Sequence, residues 1–122
     1  MPKIGLTEVE ARFAELIWNC EPISSGALVK LCETELSWKK STTYTMLKRL
    51  EDKGLFANES GKVRALMRKD EYESEQSRQF VQDTFGGSLP KFLAAFTRSR
   101  KLNPREIEEF RRLIDEHKEE ST

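Results

Sequence analysis

The sequence has few of the residues that build catalytic or metal sites. It contains two cysteines and one histidine in 122 residues. Cys20 and Cys32 lack C-x-x-C spacing, and His117 stands alone in a charged run, so we predict neither a metal site nor a disulfide. A glycine-rich phosphate loop, an H-E-x-x-H motif and a G-x-S-x-G motif are also missing. We therefore expect no enzyme activity and no cofactor.

Long apolar segments are also missing. No run reaches the length of about 18 apolar residues that indicates a transmembrane helix. The first five residues contain nothing like the apolar region of a secretion signal. These absences predict a cytoplasmic protein that does not insert into a membrane. The length of 122 residues predicts one domain, or a small domain with an appendage.

The most informative part of the chain is the segment from residue 36 to residue 69. Its apolar residues recur with the i, i+3, i+4, i+7 spacing of a half-buried helix: Thr43, Met46, Leu47 and Leu50. Gly54 is placed to end this helix. The opposite face is short, polar and basic, with Ser41, Thr42, Thr45, Lys48 and Arg49. Such a face suits a helix that lies in the major groove of DNA.

The charge distribution supports this interpretation. The chain has 21 basic and 21 acidic residues, but residues 38–69 hold nine basic and three acidic ones, a net charge of +6. Residues 1–37 have three basic against six acidic residues, and residues 70–122 have nine against twelve. A cationic patch on a neutral protein is typical of a phosphate-binding surface. The alternative is a solvated basic helix and hairpin.

The remaining N-terminal elements complete a known motif. A capping box, Thr7 to Glu10, starts helix 1, which should run to about Trp18 with Val9 on its apolar face. Pro22 ends it, and the short piece that follows can pair only at a sheet edge. Helix 2 is capped by Ser24 or Ser25. Two strands, 55–59 and 63–67, enclose a turn at Gly61. The order helix, strand, helix, helix, strand, strand is that of a winged helix-turn-helix.

Three amphipathic helices should follow residue 70. Their apolar residues are Phe80, Phe85, Leu89, Phe92, Leu93, Phe96, Ile107, Phe110 and Ile114. About 50 residues cannot bury three such stripes alone, so we expect a second copy of the chain to cover them. The alternative is that they fold back on the winged helix. The predicted fold is thus mainly α with a small β-wing: a winged helix-turn-helix domain at 1–69 and a helical dimerisation region at 70–122.

The chain resembles the penicillinase repressor family of transcriptional regulators over nearly its whole length. The resemblance rests on Leu6–Glu10 with Ile17-Trp18, on Trp38–Thr42 with Thr45, Leu47, Arg49-Leu50 and Lys53-Gly54, on Phe85–Gly87, and on Leu102–Glu109. It implies a homodimeric repressor in which each winged helix binds half of an inverted-repeat operator in double-stranded DNA. The family positions that contact bases and phosphates match Ser41, Thr42, Thr45, Arg49 and Lys62.

The resemblance also implies a mode of induction. Members are cut within the second of the three C-terminal helices, which here carries Leu89 to Phe96, after a membrane-bound sensor protease is triggered. The matching bond is Ala95–Phe96. Asn is common in the family where this chain has Ala95. The paired C-x-C motifs of the copper-responsive branch are missing, which argues against a copper sensor.

Two further departures bear on DNA binding. Lys39-Lys40 replaces a Ser-Pro or Ala-Pro pair, which weakens the N-cap of helix 3 but adds charge for phosphates. Tyr44 stands where some members have Arg, so base preference should differ. We expect Lys39, Lys40, Arg49 and Lys62 to contact phosphates. The rival hypothesis is a protein-interaction module with incidental DNA affinity.

Overall fold

The order of elements confirms the winged-helix prediction. The computed structural model describes residues 5–121, in which six helices and three strands follow one another. The N-terminal elements are α1 (Glu8–Cys20), β1 (Ile23–Ser24), α2 (Ser25–Leu36), α3 (Lys40–Asp52), β2 (Phe56–Glu59) and β3 (Lys62–Ala65). The C-terminal helices are α4 (Lys69–Phe85), α5 (Leu89–Ser99) and α6 (Pro104–Ser121).

The wing is a small antiparallel sheet in which β3 lies between β1 and β2. Ile23 pairs with Val63 at its edge, so the predicted edge pairing of the piece after Pro22 is confirmed. The turn from β2 to β3 places Ser60 at φ 51° and Gly61 at φ 80°. Two consecutive left-handed residues match the twist of a hairpin, and Gly61 accepts that conformation without a Cβ clash.

The predicted helix ends follow from local hydrogen bonds. The Thr7 Oγ1 accepts from the Glu10 N–H at 3.1 Å, and the Glu10 carboxylate accepts from the Thr7 N–H at 2.8 Å, which completes the capping box. Gly54 has φ 81° just beyond α3, as a C′ glycine should. One boundary was predicted too short, because α1 continues past Trp18 to Cys20 before Pro22 stops it.

The core of the winged helix lies between α1, α2, α3 and the sheet. Its fully buried side chains are Phe13, Ala14, Ile17, Leu28, Cys32, Leu50, Leu55, Phe56 and Val63, with Met46 and Leu47 almost as deep. The prediction that Val9 belongs to the buried stripe of α1 is wrong, since its side chain is 50% exposed. The buried arc begins instead at Glu10, whose charge is compensated by Lys53.

The chain forms two compact units, residues 1–79 and residues 80–122, and the division falls within α4. In the second unit, Phe80, Phe85, Phe92 and Phe96 form an aromatic cluster with neighbouring ring centroids 5.6–6.1 Å apart. This unit contains no buried residue between positions 80 and 120. Its helices therefore lack a core of their own in the single chain.

Candidate nucleic-acid interface

The third helix presents two chemically different faces. Thr43, Met46, Leu47 and Leu50 pack inward against the core. Ser41, Thr42, Thr45, Lys48 and Arg49 lie on the exposed side, together with Tyr44. Short hydroxyl side chains let a helix approach a flat or grooved surface closely, and they can both donate and accept hydrogen bonds. The exposed face of α3 is thus suited to a polar partner rather than to core packing.

The start of α3 has no side-chain cap. Lys39 takes the N-cap position without a side-chain hydrogen bond to the first turn. Thr43 instead donates its hydroxyl to the Lys39 carbonyl at 3.3 Å. The first-turn N–H groups of a helix need an acceptor, and the positive end of the helix dipole favours an anion there. Exposed Lys39 and Lys40 add two cations at the same place.

The nine cations of residues 38–69 fall into two groups. Five of them bind carboxylates: Lys48 with Asp52, Lys53 with Glu10, Arg64 with Glu59, Lys69 with Glu15, and Arg68 with Asp70 and Glu71. The other four, Lys39, Lys40, Arg49 and Lys62, have no carboxylate partner within residues 5–121. The net charge of the sequence segment therefore overstates the cationic surface, because acidic residues from α1 and α4 neutralise part of it.

Two of the paired cations are held firmly in the charged form. The Glu59 carboxylate accepts from Arg64 at 2.7 Å and raises the pKa of the guanidinium. Glu15 accepts from Lys69 at 2.7 Å and raises the pKa of the ammonium. These bonds connect the two wing strands and join α1 to the start of α4.

Arg49 is exposed near the C-terminal end of α3. Its Nη1 lies 3.6 Å from the Sδ of Met46, one turn earlier. A thioether is a weak acceptor, so this contact holds the guanidinium only loosely. An anion could displace it with little loss.

The wing and α3 are connected through the first residue of α2. The Tyr44 hydroxyl donates to the Ser25 Oγ at 3.2 Å, and the Ser25 N–H donates to the Gly61 carbonyl at 2.8 Å. Lys62 follows Gly61 directly and is exposed. The sequence predicts Ser25 only as one of two candidate caps of helix 2, and the actual N-cap is Ser24. No local pattern links Tyr44 to a residue 19 positions away.

A half-buried ion pair lies at the C-terminal end of α3. The Glu10 Oε1 accepts from the Lys53 Nζ at 2.8 Å, and the same ammonium donates to the Gly5 carbonyl at 2.7 Å. The bond from Lys53 and the Thr7 N–H lower the pKa of the Glu10 carboxyl against the opposing effect of burial.

The cysteines are free thiols within the winged helix. Cys32 is buried and Cys20 is half-buried, and desolvation raises the pKa of both. Cys20 donates to the Leu16 carbonyl at 3.0 Å. Within residues 5–121, no three His, Cys, Asp or Glu side chains cluster as metal ligands would.

The residues predicted to mediate dimerisation are mostly exposed in the single chain. Phe80, Leu89, Phe96, Ile107, Phe110 and Ile114 are 37–63% exposed, and Leu113 belongs with them at 62%. Phe85, Phe92 and Leu93 are half-buried in the second unit. No helix among the described residues is long and apolar enough to cross a membrane.

A three-helix core with a three-stranded wing and an exposed basic helix defines a winged-helix transcriptional regulator. The chain belongs to the penicillinase repressor family, whose model matches residues 6–116. It is similar to the methicillin resistance regulatory protein MecI of Staphylococcus aureus strain Mu50, with 21% identity over 114 residues. That alignment covers 90% of this chain and 93% of the relative. The family is one of repressors, and this relative is a regulatory protein.

Proposed function

We propose that this transcriptional repressor binds an inverted-repeat DNA operator as a homodimer and blocks transcription sterically. The observation that carries the proposal is the set of four cations without carboxylate partners in the described chain, Lys39, Lys40, Arg49 and Lys62. They lie at the start of α3, near its end and in the wing. Cations at these three places fit the phosphate backbones on the two sides of a DNA groove that α3 occupies.

The base-reading role falls to Ser41, Thr42 and Thr45. Their hydroxyls are exposed on the face of α3 opposite the core. A hydroxyl can bond to either a donor or an acceptor on a base edge, and the threonine methyl can contact the methyl group of thymine. Phosphate contacts by the four cations should supply affinity, and these three residues should supply sequence preference.

The decisive experiment is selection of bound sequences from a random duplex pool, followed by titration at several salt concentrations. We expect an inverted repeat and a steep loss of affinity with salt. Arg49→Ala should lower the salt slope by about one unit per half-site. Arg12→Ala on α1 removes the same charge outside the proposed interface and should leave the slope unchanged. Thr42→Ala should change base preference more than affinity.

The outcome also separates this proposal from its rival. A protein-interaction module would select no sequence, and its affinity for duplex DNA would depend equally on Arg12 and Arg49. Such a result would overturn the assignment of α3 as the reader of DNA.

Dimerisation through the second unit follows from its exposed apolar side chains. A second copy can cover them with identical residues in a closed, symmetric interface. Leu113→Glu should convert a micromolar dimer to a monomer in sedimentation, without unfolding it, because Leu113 is 62% exposed in the single chain. Arg112→Glu is the matched control and should remain dimeric. A monomeric parent protein would contradict this part of the proposal.

Induction by proteolysis at Ala95–Phe96 is the last part of the proposal. This bond lies within α5, and cutting it would separate Phe92 from Phe96, whose rings are 6.1 Å apart, and detach all of α6. Helical bonds are poor protease substrates, so cleavage should require local opening. We expect chain 1–95 to dimerise and bind operator more weakly, since a single half-site binds weakly. If that fragment binds like the full chain, cutting here is not the switch.

A further inference from the structure

We propose that Tyr44 is a positioning residue, which holds the wing turn at a fixed place relative to α3 so that Lys62 reaches a phosphate. The inference rests on the proposed function, because it assigns Lys62 a phosphate contact. It gives Tyr44 a role distinct from base reading, although the residue lies on the exposed face of α3.

Two hydrogen bonds form a continuous path from α3 to the wing. The Tyr44 hydroxyl donates to the Ser25 Oγ at 3.2 Å. The backbone N–H of Ser25 donates to the Gly61 carbonyl at 2.8 Å. Ser25 is the first residue of α2, so the N-terminal end of α2 lies between α3 and the wing turn.

The contact with Ser25 adds to the support that β1 and the core give the wing. A hairpin of two four-residue strands is marginally stable alone, and here its turn carries the proposed phosphate contact. The position of a Cβ on Gly61 would lie 3.9 Å from the Ser25 Oγ, so the turn packs directly on the residue that Tyr44 binds. Lys62 comes next in the chain and pairs in register with Ser24. The Ser25 side chain therefore lies beside the backbone that places Lys62.

The geometry also argues against a free phenol that reads bases. A tyrosine hydroxyl has a single proton to donate. In Tyr44 the hydroxyl lies 3.2 Å from the Ser25 Oγ, and the residue as a whole is 37% exposed. A neighbour in the protein thus already engages this hydroxyl.

The test is a double-mutant cycle on the full-length protein with its selected operator. One phosphate contact with a salt slope of about 0.9 contributes about eightfold to affinity at 0.1 M salt. Lys62→Ala should therefore weaken binding about eightfold per half-site. Tyr44→Phe removes only the hydroxyl and should weaken binding by less, with a smaller salt slope. In the Lys62→Ala background, Tyr44→Phe should have no further effect, because the contact it positions is gone.

Two further variants test the role of Ser25 and control for loss of a tyrosine hydroxyl. Ser25→Ala keeps the N–H that binds Gly61 but removes the hydrogen-bond partner of the Tyr44 hydroxyl. It should therefore weaken operator binding as much as Tyr44→Phe does. The double variant should bind as either single variant does. Tyr72→Phe removes the hydroxyl of the other tyrosine of the chain and is the matched control, with binding unchanged. Selected base preference should be the same for Tyr44→Phe and the parent.

Additive effects of Tyr44→Phe and Lys62→Ala, or a changed base preference in Tyr44→Phe, would overturn the positioning role. An unaffected Tyr44→Phe would overturn it as well. All three results leave operator binding by the parent intact, so they differ from failure of the proposed function, in which the parent selects no operator.

Discussion

Replacing Lys53 by methionine should destabilise the winged helix far more than replacing its neighbour on α3, Lys48. The Glu10 side chain is 4% exposed and that of Lys53 is 33% exposed, with 2.8 Å between Nζ and Oε1. Methionine keeps most of the aliphatic stem but removes the ammonium. The Glu10 carboxylate would then be buried with only the hydrogen bonds from Thr7 remaining among those described, including its N–H at 2.8 Å.

The expected loss follows from the burial of this pair. Removing one partner of a fully buried ion pair costs about 3–5 kcal/mol. Here the Thr7 N–H remains and Lys53 is partly solvated, so we expect about 2 kcal/mol, below that range. For a small domain with a urea dependence of about 2 kcal/mol per molar, the unfolding midpoint should fall by about 1 M.

Urea unfolding followed by tryptophan fluorescence measures this loss. Trp18 and Trp38, the two tryptophans of the chain, both pack against the core of the winged helix and report on that unit. Lys48→Met is the matched control, because the side chains of Lys48 and Asp52 are 72% and 66% exposed. Pairs so exposed contribute about 0–1 kcal/mol. Equal midpoints for the two variants would refute the reasoning.

The stability difference between the parent and Lys53→Met should also depend on pH in a defined direction. The bond from Lys53, with the Thr7 N–H, lowers the pKa of Glu10 from its ordinary value of 4.5. A carboxyl whose folded pKa is depressed stabilises the protein above its unfolded pKa, and this is lost as pH falls through the folded pKa. The difference between the parent and Lys53→Met should therefore be full above pH 4.5 and narrow below it.

Three other outcomes can be measured on the same protein. Gly54→Ala should lower the free energy of unfolding by about 1–2 kcal/mol, because a Cβ is strained at φ 81°. Gly54→Asn should lower it less, and urea unfolding measures both. A thiol reagent should modify half-buried Cys20 before buried Cys32, both slowly, since burial raises both pKa values; equal rates would contradict this. The hydrogen bonds from Arg100 and from the Asn103 N–H lower the pKa of Glu106 from 4.5 to about 2, so the stabilisation from this exposed pair should fall progressively as pH drops from 4.5 toward 2. In an NMR titration, Arg100→Ala should raise that pKa toward 4.5.

The fold could be predicted from the sequence because its signals are local. The capping box at Thr7 and the cap of α6 at Asn103 are made by residues three positions apart. Gly54 and Gly61 occupy positions that require positive φ. Helical periodicity placed the buried face of α3 correctly. Each of these features depends on neighbours within about one helical turn, which the sequence displays directly.

The contacts that shape the site could not be predicted, because they join residues far apart in the chain. Lys53 lies 43 positions from Glu10, and Lys69 lies 54 positions from Glu15. Charge counting treats every lysine as available, whereas the fold brings carboxylates of α1 to these two. The same separation concealed the bond from Tyr44, which crosses 19 positions.

Because five of the nine cations of residues 38–69 are paired with carboxylates, the salt dependence of operator binding is a quantitative test of the proposed interface. Each phosphate neutralised contributes about 0.9 to the slope of log affinity against log salt. If all nine cations of residues 38–69 met phosphates in both half-sites, the slope would be about −16. With only the four that lack carboxylate partners in the described chain, it should be about −7. A slope near −16 would mean that DNA breaks the five ion pairs on binding, and it would refute the inference that these five cations do not contact phosphates.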